Sequence, residues 1–199
     1  MKALLFATTA AGLLALASPA AAQVYASVHG GYNIIHDFEA DVNGLTADFD
    51  NESTPHAGGS IGYKFGKDQG LRLELEALYM FSTDFALQSV NNVKAPAGLL
   101  EVDAEAVRGF VNVAYDFPLM QGVTSYVIAG LGYSYYMTSV GDAGAPAGQI
   151  GVGFDYKLTD HTSLGIAYKF GATYGLDIGG ADIDWLTDSR IEAGMKFSF

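Results

Sequence analysis

The sequence predicts an all-β protein, an eight-stranded antiparallel up-and-down β-barrel that crosses a membrane, and three observations predict it. Apolar and polar residues alternate with period two in eight segments of about 9 to 12 residues, the length a tilted strand needs to cross a bilayer. Within those segments the charges and many of the glycines fall on one side, and the other side is uncharged. The connections alternate between short and long. Composition removes competing classes. With 22 Asp+Glu against 10 Lys+Arg and a net charge of −12, nucleic acid is an unsuitable partner, because phosphates are met by Lys and Arg. The absence of Cys excludes disulfide scaffolds, thiolate metal sites and cysteine nucleophiles. The 12 Phe and 12 Tyr in a chain only 16% charged make disorder untenable.

Residues 1–22 come first and are read as an address. Lys2, the apolar run Ala3 to Ala17, Ser18-Pro19 and the small string Ala20-Ala21-Ala22 form the three regions of a secretory signal peptide, with cleavage after Ala22. The run is too short for a membrane-spanning helix. The remaining residues, 23–199, form one barrel domain.

The first strand, 24–35, carries Tyr32 on the apolar side and His29 and Gly31 on the other. Segment 56–65 sets Gly58, Gly62 and Lys64 on one face and ends at Phe65. In 71–81 every odd position is apolar, while Arg72, Glu74 and Glu76 share the opposite face. Segment 106–117 opposes Arg108 and Asp116 to Tyr115 and Phe117, and 126–137 opposes Gly130 and Gly132 to Tyr133 and Tyr135. Segment 148–158 places Gly151, Gly153, Asp155 and Lys157 together, away from Tyr156. Segment 163–171 does the same with Gly165, Lys169 and Gly171 against Tyr168 and Phe170. The last strand alternates Arg190, Glu192, Gly194, Lys196 and Ser198 with Ile191, Ala193, Met195, Phe197 and Phe199.

A soluble barrel would turn the charged face to water. The glycines on that face instead suit a narrow interior, and an outward Lys or Arg at the bilayer midplane would cost roughly 2 to 4 kcal/mol. The charges are therefore placed in the lumen, where Lys64, Arg72, Arg108, Lys157, Lys169, Arg190 and Lys196 can pair with Glu74, Glu76, Asp155 and Glu192. Alternating strand direction collects Tyr32, Tyr79, Phe81, Tyr133, Tyr135, Tyr168 and Phe170 at one rim, and Phe65, Tyr115, Phe117, Tyr156, Phe197 and Phe199 at the other. Two such girdles mark the two membrane interfaces. Short connections near 66–70, 119–123 and 159–162 are assigned to the periplasm, with both termini. Long ones near 37–54, 83–104, 138–146 and 172–187 are assigned to the cell exterior.

With these features in place the chain resembles the small eight-stranded outer-membrane barrels, the group of the OmpA membrane domain, OmpX and the opacity-type surface proteins. The most specific element is the terminal RIEAGMKFSF. The resemblance implies a Gram-negative outer-membrane location and insertion by the barrel-assembly machinery, with Phe197 and Phe199 as its signal. The chain stops after the eighth strand, so no peptidoglycan-binding domain of the OmpA kind is expected to follow.

The first functional expectation is a non-enzymatic envelope protein with acidic surface loops; a narrow channel for small solutes or ions is the second and a lipid A modifying enzyme the third. An eight-stranded barrel is just wide enough to be filled by its own side chains, which favours an ionic plug. The loop carboxylates Asp37, Glu39, Asp41, Asp48, Asp50, Glu52, Asp84, Glu101, Asp103, Asp142, Asp177, Asp182 and Asp184, with Lys94 as the lone cation, are either solvated or bridged by divalent cations to lipopolysaccharide phosphates. No calcium-loop spacing assigns ligands among them. His161-Thr162-Ser163 has the residue types of an acyl-transfer pair but falls in a short periplasmic turn. His36 and His56 are placed near the outer rim beside Asp37, and His29 in the lumen. No cofactor is implied.

Overall fold

The computed structural model describes residues 24–42, 44–51, 53–65, 70–90, 93–94 and 101–199. The expected signal segment and the turn near 66–69 lie outside them. Eleven strands form one antiparallel sheet: β1 (Val24–Ile35), β2 (Phe38–Val42), β3 (Leu45–Asn51), β4 (Thr54–Phe65), β5 (Gly70–Val90), β6 (Val93–Lys94), β7 (Glu101–Met120), β8 (Val123–Thr138), β9 (Ala143–Lys157), β10 (Thr162–Ile178) and β11 (Ala181–Ser198).

Eight of these close a ring. β1 pairs with β4 on one side and β11 on the other, and β4, β5, β7, β8, β9, β10 and β11 pair in turn between them. Closure satisfies the ladder groups that an open sheet would leave as edges. Val24 and Phe199 meet at the seam, where Phe199 N donates to Val24 O at 3.0 Å. That end carries tight turns, including one at Gly122, whose φ of 81° favours glycine.

At the opposite end the structure departs from the expected loops. Segments 138–146 and 172–187 are mostly continuations of the barrel wall, and the ladders run to Tyr136↔Ala143 and Ile178↔Ala181 before turning. β5 and β7 likewise extend to Ala86↔Glu101. A membrane limits the length of the lipid-facing band but not of the ladder, which continues wherever alternation continues. Segment 37–54 is mostly the β2–β3 hairpin. It turns at Gly44 (φ 82°), whose N–H donates to Asp41 Oδ1 at 2.8 Å. Where β1 and β4 stop, this hairpin takes their place in the wall: β3 pairs with β5, and β2 meets β11 at the single register pair Asp41↔Asp182.

The outward surface between the ends is apolar. Val28, Leu75, Val111, Val127, Leu131, Ile150, Ile166 and Ile191 are exposed, and aromatic pairs in edge or tilted contact, such as Tyr63–Phe65, Tyr115–Phe117 and Tyr79–Phe81, stand toward the rims. The inside has two tiers. The half nearer the termini is polar and charged. Above it lies an apolar cap of Ile35, Leu78, Met80, Ala104, Ala106, Phe110, Ala143, Ala145, Leu176, Ile183 and Leu186, with Phe38 and Ile178 packed against it. Near Gly175 (φ 68°) the buried parity changes, from Thr173 to Leu176 on β10 and from Leu186 to Ile183 on β11, which turns these apolar side chains inward.

Candidate functional site

The polar tier is built by a checkerboard of side chains and glycines on three adjacent strands. His29 on β1 is the register partner of Gly58 on β4 and Gly194 on β11; Gly31 is the partner of His56 on β4 and Glu192 on β11. Each bulky group thus faces a position with no side chain. The spacing is obligatory, since a Cβ on Gly58 would lie 2.8 Å from His29 Nε2, and one on Gly31 would lie 1.9 Å from the Ile191 carbonyl oxygen. His29 Nε2 comes to 3.3 Å from Glu76 Oε1, and His56 Nε2 to 3.6 Å from Glu192 Oε2. The two rings stand edge to face at 6.5 Å.

Glu76 is the hub of the middle layer. Its Oε2 accepts from Asn112 Nδ2 at 2.8 Å and Gln149 Nε2 at 2.7 Å, and its Oε1 accepts from Lys169 Nζ at 2.6 Å. Lys169 reaches Glu192 Oε1 as well, at 2.7 Å, and so ties β5 to β11 from β10. Nearer the termini, Asp116 receives Lys64 at 2.8 Å and Arg72 at 3.1 Å, and Asp155 receives Lys196 and Arg72. The Arg72 guanidinium stacks over Tyr126 at 4.5 Å, and Tyr25 OH donates to Glu74 Oε2 at 2.6 Å. Under the apolar cap, Arg108 donates to Asp188 at 2.6 Å and to Tyr136 OH at 2.6 Å. Arg190 spans Asp188 and Gln149.

Of the residues predicted for the lumen, Lys64, Arg72, Glu74, Glu76, Arg108, Asp155, Lys169, Arg190, Glu192 and Lys196 line it. Lys157 does not. Its side chain is 54% exposed and pairs with Asp160 at 2.8 Å across the turn into β10, because its position lies at the mouth, where water is a better host than a crowded interior. Asp188, which follows the long connection near 172–187, is fully buried and joins the network. Among the described residues the lumen therefore balances six cations (Lys64, Arg72, Arg108, Lys169, Arg190, Lys196) with six anions (Glu74, Glu76, Asp116, Asp155, Asp188, Glu192). The uncharged members Asn112, Gln149, Tyr25 and Tyr126 share the inward parity of their strands and could have been found by it.

The two histidines expected near the outer rim separate. His56 is buried in the lumen beside Glu192, while His36 lies at the end of β1 against Phe170 and hydrogen-bonds Ser189 and Thr187. His161 is exposed at the turn, where its Nδ1 lies 3.1 Å from Ser198 O. Of the expected acidic loop residues, Asp37, Glu39, Asp41, Asp48, Asp182 and Asp184 line one recess at the far end, with Phe38 and Trp185. The side chains of Asp50, Glu52, Asp84, Lys94 and Glu101 lie outside the described set.

Residues 4–199 match the family model for the outer membrane protein beta-barrel domain. The chain belongs to the outer-membrane β-barrel family. The barrel is thereby an outer-membrane protein, and the apolar outer band is its lipid-facing surface. Among solved structures the barrel is similar to Neisserial surface protein A, with a TM-score of 0.55 at 18% identity over 88% of this chain and 97% of that one. It is also similar to OprG from Pseudomonas aeruginosa (TM-score 0.52, 16% identity, 89% and 97% covered). The protein AlkL, solved in lipid bilayers, matches with a TM-score of 0.51 at 13% identity over 89% and 90%. At these identities the likeness concerns the fold. No curated protein matches this chain significantly.

Proposed function

We propose that this barrel is a non-enzymatic, non-conducting envelope protein. It is exported by its N-terminal signal, inserted through its last strand with Phe197 and Phe199 by the barrel-assembly machinery, and displays an acidic rim at the cell surface. The observation that carries the reading is the two-tier lumen. A balanced ion-pair network fills one half, and Leu78, Met80, Phe110, Leu176, Ile183 and Leu186 close the other. An ion crossing this interior would have to displace a paired network and then traverse an apolar constriction that disfavours water. The acidic recess complements divalent cations held by lipopolysaccharide phosphates, since hard cations prefer oxygen ligands.

Conductance in planar bilayers tests the central point. The refolded barrel should give no reproducible single-channel steps. Regular steps that disappear on charge substitution at Arg108 or Glu76 would establish the narrow-channel reading instead.

A further inference from the structure

We propose that the lumen contains a site for a divalent transition-metal ion, with zinc as the fitting example, formed by His29, His56, Glu76 and Glu192. The donor set is chemically suited, because imidazole nitrogen and carboxylate oxygen together are ligands of zinc and its neighbours. One ligand atom each from His29, Glu76 and Glu192 lies within 4.8 Å of the others, and His56 stands against Glu192. With zinc bonds of about 2.0 to 2.1 Å, two ligands of a tetrahedral site are separated by roughly 3.3 Å. The separations of 3.3 Å for His29–Glu76 and 3.6 Å for His56–Glu192 are close to that edge.

The hydrogen bonding points the same way. His29 Nε2, both ring nitrogens of His56 and Glu192 Oε2 are buried without a hydrogen-bond partner. Buried polar atoms without hydrogen bonds cost free energy, and His29 Nε2, His56 Nε2 and Glu192 Oε2 are three such atoms within the proposed ligand set. His56 and Glu192 are more than nine-tenths buried, and the checkerboard glycines that make room for them are fixed by backbone contacts. A cavity of about 50 Å³ touches His29, Glu192 and Lys169 and extends to Arg72, Asp155 and Lys196, nearer the end that carries the termini.

Lys169 is the resident competitor. Its ammonium bridges Glu76 and Glu192, and a bound dication would share those carboxylates with it. Removing this charge should therefore strengthen metal binding, an effect opposite to that expected if Lys169 only stabilises the fold.

The test uses the refolded full-length barrel in detergent, loaded with zinc or cobalt(II) and freed of excess metal. Folding of each variant is judged from its compact gel migration before boiling. The wild type should retain one metal ion per barrel, and cobalt should show the visible bands of four-coordinate geometry. His29→Gln and His56→Gln, singly and together, should bind more than about tenfold more weakly while remaining folded. Lys169→Met should bind more tightly than the wild type. Absence of stoichiometric metal in the wild type would overturn the site, as would undiminished binding in the folded single variants, which would assign the metal to the acidic rim.

Discussion

Glu76 shows what a single residue does in this interior. Three donors and one imidazole meet its carboxylate; truncation would take an acceptor from Asn112 and Gln149 and leave Lys169 with Glu192 alone. Burying an ion pair gains little net stability, yet breaking one is costly, because the surviving charge remains in a poor solvent. Glu76→Leu should therefore destabilise the refolded barrel by about 3 to 5 kcal/mol, measured by urea unfolding in lipid vesicles. Glu76→Leu combined with Lys169→Met should cost less than the two single changes added together, since the pair is lost only once. Glu76 was legible because Arg72, Glu74 and Glu76 alternate with leucines. The same strand then continues with Leu78 and Met80 on the inward side, where the apolar cap begins. Asn112 and Gln149 carry no charge, so charge segregation does not single them out from other residues of the same parity. Asp188 lies ahead of Arg190, where the clear alternation of the last strand begins.

At the scale of elements, the wall is unevenly tied. β5 and β7 are paired along most of their length, whereas β2 is joined to β11 by one register pair in which two aspartates face each other. Sparse pairing with like charges opposed lowers the cost of local opening. Amide hydrogen exchange should accordingly be faster in Phe38–Val42 than in the β5–β7 ladder between Leu71 and Met80; equal protection would show that the hairpin is held by contacts other than its ladder. The turn into β10 offers a contrasting case. The Lys157 ammonium holds the Asp160 carboxyl below its ordinary range. A carboxyl depressed in this way stabilises the fold above its unfolded value and loses that contribution as pH falls through its folded value, below about pH 4. Both groups are solvated, so Asp160→Asn should leave the neutral-pH melting temperature unchanged, measured by the loss of compact gel migration on heating. The strands themselves were readable from period-two alternation. Their far ends were not, because a rule based on membrane thickness stops the reading at the bilayer while hydrogen bonding goes on beyond it. Nor does any local pattern reveal that a short hairpin replaces β1 and β4 in the upper wall; that substitution depends on pairing partners distant in the chain.

For the whole molecule, orientation follows from solvent. Lipid accepts the uncharged face, and the ions take the enclosed one, with aromatic rings where the two environments meet. The far rim then presents Asp37, Glu39, Asp41, Asp48, Asp182 and Asp184 around a common recess. Millimolar calcium should slow proteolysis at this rim in the refolded protein, and an unchanged digestion rate would mean that these carboxylates are simply hydrated. The balanced lumen has a consequence for how copies of this protein share a membrane. Among the described residues six acids and six bases cancel inside, whereas Asp37, Glu39, Asp41, Asp48, Asp182 and Asp184 gather uncompensated around the far recess. Greasy flanks impose no electrostatic barrier between neighbours, but their protruding crowns repel. Crowding in the plane of the bilayer is thus governed by counterions in the surrounding fluid, and low ionic strength should scatter the molecules apart.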